Sequence, residues 1–117
     1  MSKDDLPPDR AVAALAALAH EHRLALHRLL VERGPDGLAA GTIAERLGLA
    51  PSSLTFHLQH LLRAGLITQR RLGRQLIYAA DFAAMNALLA YLTRNCCGRE
   101  TACLPGAVAH LPDRRTA

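Results

Sequence analysis

RLGLAPSSLTFHLQHLLRAGLITQRRLGRQLIYAA occupies residues 46–80. Pro51 suits the first turn of a helix, and we expect that helix to end at Gly65. Two apolar and β-branched runs follow, over residues 66–71 and 75–79, and a short glycine-containing turn separates them. This pattern predicts a helix followed by a two-stranded β-hairpin.

Upstream of this stretch the sequence predicts three more helices. The first covers about residues 10–19 with Asp9 as its cap, and the second covers residues 21–33 before a Gly-Pro-Asp-Gly turn. The third is short, about residues 39–47, and ends at Gly48. Two helices joined by a tight turn and followed by a hairpin form a winged helix-turn-helix. The predicted fold class is therefore mainly α, with a β-hairpin wing.

A last helix is predicted over residues 82–95, with Asp81 as its cap, and it is apolar almost all round. Such a helix needs burial on two sides, which one small domain does not provide. The first helix also carries an apolar face, formed by Val12, Leu15 and two alanines. We therefore expect about five helices in all and a homodimer formed through the first and last helices.

The charge of the chain is concentrated in residues 46–80. The whole sequence has 14 Lys and Arg against 10 Asp and Glu, a net charge of +4. This stretch holds five of the arginines and no acidic residue, so the remainder has nine basic against ten acidic residues, a net charge of −1. A surface of this kind favours a polyanion as partner, and the capped helix with its hairpin favours double-stranded DNA.

The predicted DNA contacts lie on the second helix of the pair and on the wing. A Gln side chain can bridge an adenine edge, an exposed Phe can pack on a thymine methyl, and serines at the helix start suit phosphate oxygens. Wing arginines can reach a phosphate or the minor groove. A solvated helix beside a charged surface hairpin is the alternative. The predicted contacts are Ser52, Ser53, Thr55, Phe56, His57, Gln59, His60, Arg63, Arg70, Arg71 and Arg74.

These segments resemble the ArsR/SmtB family of metal-sensing repressors over about residues 13–95. The similar stretches are ALAALAHEHRLALHRLL, with Arg23-Leu24 at its centre, LAPSSLTFHLQHLLRAGLI, with Ser53 and Thr55, and RRLGRQLIYAA as the wing. The resemblance implies a homodimeric repressor that binds a twofold operator and releases it when an inducer binds. Many arsenic-sensing relatives carry cysteines in the helix before the recognition helix, but the corresponding segment here, GLAAGTIAERLG, has none.

The three cysteines of the chain, Cys96, Cys97 and Cys103, lie within eight residues after the last helix. Three thiolates can form a trigonal sulfur site, and soft ions prefer thiolate over oxygen or imidazole. As(III) binds three sulfurs in this geometry, so we expect As(III), or Sb(III), to be the inducer, with no organic cofactor. Other thiophilic metals (Cd, Zn, Pb, Bi), a Cys₃His zinc site with His110, and a thiol redox sensor remain as alternatives.

The sequence predicts three segments: a flexible arm over residues 1–8, a DNA-binding and dimerisation domain over residues 9–97, and a tail over residues 98–117 that completes the metalloid site. The acidic, Pro-containing start is not a signal peptide. No apolar run approaches the roughly 20 residues that span a bilayer. We therefore expect a cytoplasmic protein with no membrane partner.

We do not expect an enzyme. The loop Cys-x₅-Arg, which thiol enzymes acting on phosphate or arsenate often use, is absent, since Ala102 and Cys103 stand at the two candidate arginine positions. The sequence also lacks HExxH, GxGxxG and Walker motifs. The histidines outside the DNA-contacting helix, among them His20, His22 and His27, are predicted to be solvated or satisfied in the core.

Overall fold

A computed structural model describes residues 6–95 of the chain and confirms a mainly helical winged helix-turn-helix. The elements are α1 (Pro8–Leu18), α2 (Glu21–Arg33), β1 (Leu38–Ala39), α3 (Ala40–Leu47), α4 (Pro51–Arg63), β2 (Ile67–Leu72), β3 (Gln75–Ala80) and α5 (Phe82–Thr93). The predicted helices and hairpin strands are all present, and their ends lie within two residues of the expected positions. The cysteines and the last 22 residues lie outside the described part of the chain.

The sheet has three antiparallel strands in the order β1-β3-β2. β2 and β3 form the predicted hairpin, with a register that runs from Ile67 opposite Ala80 to Leu72 opposite Gln75. β1 was not predicted, because two residues carry no alternating pattern. It forms where Leu38 pairs with Tyr78 on the free edge of β3, and so it ties the loop before α3 to the wing.

Local signals set most of the helix ends. Asp81 caps α5 as predicted, and its carboxylate accepts a hydrogen bond from the backbone N–H of Ala84 at 3.0 Å. The predicted cap of α1 was wrong: Pro7 is the cap residue, and Asp9 lies in the first turn. Pro8 follows as the first helical residue, where proline is favoured because it has no N–H to leave unsatisfied. Asp9 therefore acts only through its charge near the helix N-terminus.

The core is aliphatic and is built around α2 and α4. Leu26 and Leu30 of α2, Ile43 of α3 and Leu61 of α4 have no exposed surface. Leu54 of α4 is almost as deeply buried. Because these side chains come from α2, α3 and α4, their packing sets the angle between α3 and α4.

α1 and α5 lie at the edge of this core and pack on one another, and each adds only small or single buried side chains to it. α1 buries Ala11, Ala14 and Ala17 and leaves Val12 and Leu15 65% and 42% exposed. α5 buries Leu88, whereas Leu89 and Leu92 are 39% and 54% exposed. Within residues 6–95, no helix is long and apolar enough to cross a membrane.

Gly37 is a position where the fold excludes any side chain. Its φ is +73°, and a Cβ there would collide with the backbone carbonyl oxygen of Tyr78 in β3. Gly48 has a similar φ of +66°, but open space surrounds it. A side chain at Gly48 would meet backbone strain alone, whereas a side chain at Gly37 would meet both backbone strain and a steric collision.

We expect Gly37→Ala to destabilise the protein more than Gly48→Ala does. Both substitutions lose about 1–2 kcal/mol because an L-residue is strained in the left-handed region. Gly37→Ala loses about a further 1–3 kcal/mol because β3 must move away from the new methyl group. Urea unfolding of the two variants measures the difference, and equal losses would contradict the packing described for β1 and β3.

Candidate nucleic-acid interface

α4 presents one apolar and one polar face. Leu54, Leu58 and Leu61 are buried, and their spacing turns the opposite face of the helix to solvent. On that opposite face the predicted contacts Ser52, Ser53, Thr55, Phe56, Gln59 and Arg63 are exposed, and His60 is partly buried. The burial of three leucines therefore leaves a continuous exposed surface along the helix, polar except for Phe56.

The first turn of α4 can accept an anion. Ala50 caps the helix without a side-chain hydrogen bond, and the first turn contains no acidic residue. The N–H groups of this turn have no partner within the helix, and the helix dipole is positive at this end. Ser52 and Ser53 stand beside these N–H groups, so this end of α4 suits a phosphate oxygen.

Phe56 stands in the middle of the exposed face. It is 57% exposed, and its ring packs edge-on against His60, with 4.6 Å between ring centroids and 70° between ring planes. This contact restrains the ring while leaving one side of it accessible. A restrained, accessible aromatic ring beside Gln59 is a surface that can contact base edges in the major groove.

The wing carries exposed arginines. Arg71 and Arg74 are exposed on and beside the turn between β2 and β3. Arg70 donates a hydrogen bond from its Nη2 to the backbone carbonyl oxygen of Asp36 at 3.0 Å. This bond holds Arg70 against the loop before β1. Arg71 and Arg74 form no ion pair within residues 6–95 and are available to an external anion.

His57 was predicted as a DNA contact, but the structure places it off the exposed face of α4. It is only 6% exposed, because it lies at the edge of the leucine face. Its ring packs against His20, with 4.8 Å between centroids, and against His22, at 5.6 Å. The grouping of these histidines was not predicted, because more than thirty residues separate His22 from His57. Only the packing of α2 on α4 brings them together.

Comparison with known proteins agrees with this geometry. A family model described as a helix-turn-helix domain, HTH_20, matches residues 18–70. The chain is 32% identical over 89 residues to the HTH-type transcriptional regulator YgaV of Escherichia coli K12, covering 76% of this chain and 88% of YgaV. It is also 32% identical over 88 residues to the transcriptional activator HlyU of Vibrio cholerae, covering 75% of this chain and 79% of HlyU.

Similar solved structures are also those of transcriptional regulators. An ArsR-like transcriptional regulator from Rhodococcus sp. RHA1 superposes with a TM-score of 0.62 at 25% identity, covering 92% of this chain and 87% of that one. The reduced form of V. cholerae HlyU superposes with a TM-score of 0.55 at 35% identity, covering 72% and 88%. This chain belongs to the ArsR family.

Members of the ArsR family are DNA-binding regulators of transcription, so the predictions of a winged-helix regulator and of a protein that is not an enzyme agree with the family. Family membership leaves the sensed signal open. Within residues 6–95, no group of three or more His, Cys, Asp or Glu side chains is placed to hold a metal ion. The predicted site of Cys96, Cys97 and Cys103 lies outside this range.

The histidine cluster of this ArsR protein has an electrostatic consequence. Burial lowers the pKa of the His57 imidazole, and the neighbouring His20, Arg23, His22 and His60 lower it further. The pKa of His27, buried in α2, is also lowered by burial. His57 Nδ1 and His27 Nε2 have no hydrogen-bond partner within the described residues. Both rings are therefore favoured in the neutral form in the folded protein.

We expect the free energy of unfolding to fall as the pH drops below about 6.5. An unfolded histidine titrates near this value, so below it the unfolded state binds protons that the folded state excludes. The loss approaches about 1.4 kcal/mol per pH unit for each excluded proton until the lowered folded pKa is reached. Urea unfolding between pH 8 and pH 5 measures this slope.

Replacing His57 by Gln should reduce that slope, because one excluded proton is removed. Carboxylates contribute equally to both proteins, so the comparison between wild type and variant isolates the imidazole. Identical pH profiles for the two proteins would contradict the description of His57 as a buried neutral ring.

Proposed function

We propose that this chain is an arsenic-responsive repressor that binds operator DNA as a homodimer and releases it when Cys96, Cys97 and Cys103 bind As(III) or Sb(III). The observation that carries the proposal is the position of the only three cysteines, within eight residues directly after α5. α5 itself ends at Thr93, three residues before Cys96. A ligand bound by the trio therefore acts at the end of this helix.

DNA binding in this proposal uses α4 and the wing. The exposed face of α4 carries Phe56 and Gln59, and the uncapped N-terminus of the helix suits a phosphate. Arg71 and Arg74 extend the positive surface along the hairpin. A helix of this kind fits the major groove, while the wing follows the adjacent backbone.

Dimerisation in this proposal uses the apolar surface that α1 and α5 leave exposed. Val12, Leu15, Leu89 and Leu92 project from two helices that pack on each other. Large exposed apolar side chains grouped on adjacent helices favour a protein–protein contact. A twofold contact here would place two copies of α4 for the two halves of a twofold DNA site.

Leu92→Glu should convert the dimer into a monomer, because it places a charge on this apolar surface. Sedimentation velocity measures the change, and operator binding should weaken by at least about tenfold because one half-site contact is lost. Leu72→Glu is the matched control for the sedimentation measurement alone, since Leu72 is 59% exposed at the wing and outside this surface, and that variant should stay dimeric. A dimeric Leu92→Glu protein would rule out this surface.

Sensing in this proposal works by shifting a population of conformations. Three thiolates closing on one As(III) draw residues 96–103 into a compact structure at the end of α5. α5 contacts α1, and α1 contacts α4, so a change at α5 reaches the DNA-binding helix through two packed contacts. A coupling of about 1–3 kcal/mol between the two sites is enough to change operator occupancy measurably.

Each of Cys96→Ser, Cys97→Ser and Cys103→Ser should keep DNA binding and lose the response to As(III). DNA affinity should survive because the trio lies outside the DNA-binding half, and the response should fail because two thiolates form a weaker chelate than three. Fluorescence anisotropy of labelled promoter DNA, titrated with As(III) in a reducing buffer, measures both properties. His110→Ala is the control and should respond as wild type does.

If the Cys103→Ser protein still releases all of its DNA at the As(III) concentration that releases it from wild type, Cys103 is not a ligand of the site. X-ray absorption of the reduced As(III) complex gives an independent check, because the proposal requires three sulfur neighbours at one distance. Loss of response in His110→Ala would instead favour a Cys₃His zinc site.

A thiol redox sensor is the second candidate function. It is favoured by the relation to V. cholerae HlyU, a protein whose structure is known in a reduced form. Two adjacent cysteines with a third nearby can also form a disulfide when oxidised. The two candidates separate in one experiment: the redox sensor releases DNA with peroxide, whereas the arsenic sensor releases it with As(III) under full reduction.

A further inference from the structure

A cavity of about 340 Å³ lies where α1, α2 and α4 meet, beside the exposed face of α4. Alanines of α1, among them Ala13 and Ala17, form one wall. Arg23 of α2 and His60 and Arg63 of α4 supply its ionisable side chains. The cavity thus combines a smooth apolar wall with three groups that are cationic or can become so.

No carboxylate of residues 6–95 balances these groups. The described lining contains no acidic residue, and neither Arg23 nor Arg63 forms an ion pair within that range. The electrostatic effect is visible at His60, whose pKa is lowered by desolvation and then by Arg23, Arg63 and His20. Cationic groups that converge without a counter-charge create a site that favours an anion.

Arg23 is held in place for such a role. Its Nε donates a hydrogen bond of 2.6 Å to the backbone carbonyl oxygen of Ala17, near the C-terminal end of α1. This bond uses one of the five guanidinium N–H groups and restrains the plane of the fork. The terminal nitrogens remain to contact a ligand in the cavity. A restrained fork of this type matches the geometry of two oxygens on one phosphorus.

We propose that Arg23, His60 and Arg63 form a phosphate-binding site that takes a backbone phosphate of the DNA bound by α4. The inference rests on the proposed DNA binding, to which it adds Arg23 and a defined phosphate contact. A helix with its side chains is about as wide as the major groove, so residues at the edges of its exposed face meet the sugar–phosphate strands that border the groove. The alanine wall suits the apolar side of the attached deoxyribose.

Arg63→Gln tests the site through the salt dependence of DNA binding. Each phosphate neutralised by the protein adds about −0.9 to the slope of log affinity against log salt. Arg63→Gln should therefore reduce the magnitude of the slope by about 0.9 on a labelled duplex of the chain's own promoter. Arg28→Gln is the matched control: it removes the same charge from α2, where Arg28 pairs with Glu32 at 3.2 Å, and should leave the slope unchanged.

Arg23→Lys tests the planar fork separately from the charge. It keeps the positive charge, but one ammonium group cannot contact Ala17 and two phosphate oxygens in the same geometry. Affinity for the duplex should fall several-fold, while thermal unfolding shows that the variant is folded. An affinity equal to that of wild type would overturn the role of Arg23.

A duplex with single neutral methylphosphonate groups identifies the phosphate itself. Wild type should bind more weakly when the methylphosphonate replaces one particular phosphate of each half-site. The affinity of Arg63→Gln should not change when that same phosphate is made neutral. Inorganic phosphate is the other source of the same chemistry. If it shifts the His60 ring resonances at constant ionic strength while the slope of Arg63→Gln equals that of Arg28→Gln, the site takes free phosphate and the proposal is wrong.

The wild-type titration separates this failure from a failure of the proposed function. A wild-type protein without salt-dependent affinity for the duplex overturns DNA binding and the phosphate site together. A wild-type protein with a steep slope, combined with an unchanged slope in Arg63→Gln, overturns the phosphate site alone.

Discussion

The burial of the leucine face of α4 against α2 is the interaction on which the rest of the structure depends. Leu54, Leu58 and Leu61 enter a core formed with Leu26 and Leu30. This packing decides the rotation of α4 about its own axis, because a helix with one apolar face has one favourable orientation. The face of α4 that we propose as the DNA contact is exposed because the leucine face is buried.

The same packing connects the exposed face of α4 to the remainder of the chain. α2 brings His20, His22 and Arg23 against α4, where they meet His57 and His60. These neighbours add to the effect of burial in lowering the pKa of His57 and His60. His57 Nδ1 is buried with no hydrogen-bond partner among residues 6–95, a destabilising feature that the aliphatic core offsets.

α1 and α5 show how an alanine-rich chain divides its apolar residues. The alanines of α1 allow close approach to the core but bury little area, and Val12 and Leu15 remain outside. α5 buries Leu88 and exposes the leucines beside it. In the function proposed above, α5 contacts the partner subunit through these leucines and leads directly into the three cysteines. It therefore connects the dimer contact to the sensor site.

The sequence by itself determined the order of elements and their type. Pro51, Asp81 and the Gly-Pro-Asp-Gly turn act on their immediate neighbours, so the boundaries of α2, α4 and α5 follow from local chemistry. It also determined the exposed face of α4, because three leucines at helical spacing define the opposite face. The cysteine trio, the charge distribution and the family resemblance also follow from the sequence alone.

Only the tertiary structure decided the features that depend on contacts between distant residues. β1 exists because Leu38 pairs with Tyr78, forty residues further along the chain. His57 is buried because the start of α2 packs against it. The helical pattern places His57 at the border between the two faces of α4 and does not show on which side its ring lies. The cavity of Arg23, His60 and Arg63 likewise arises only where three helices meet, since each helix alone presents these side chains as ordinary surface charges.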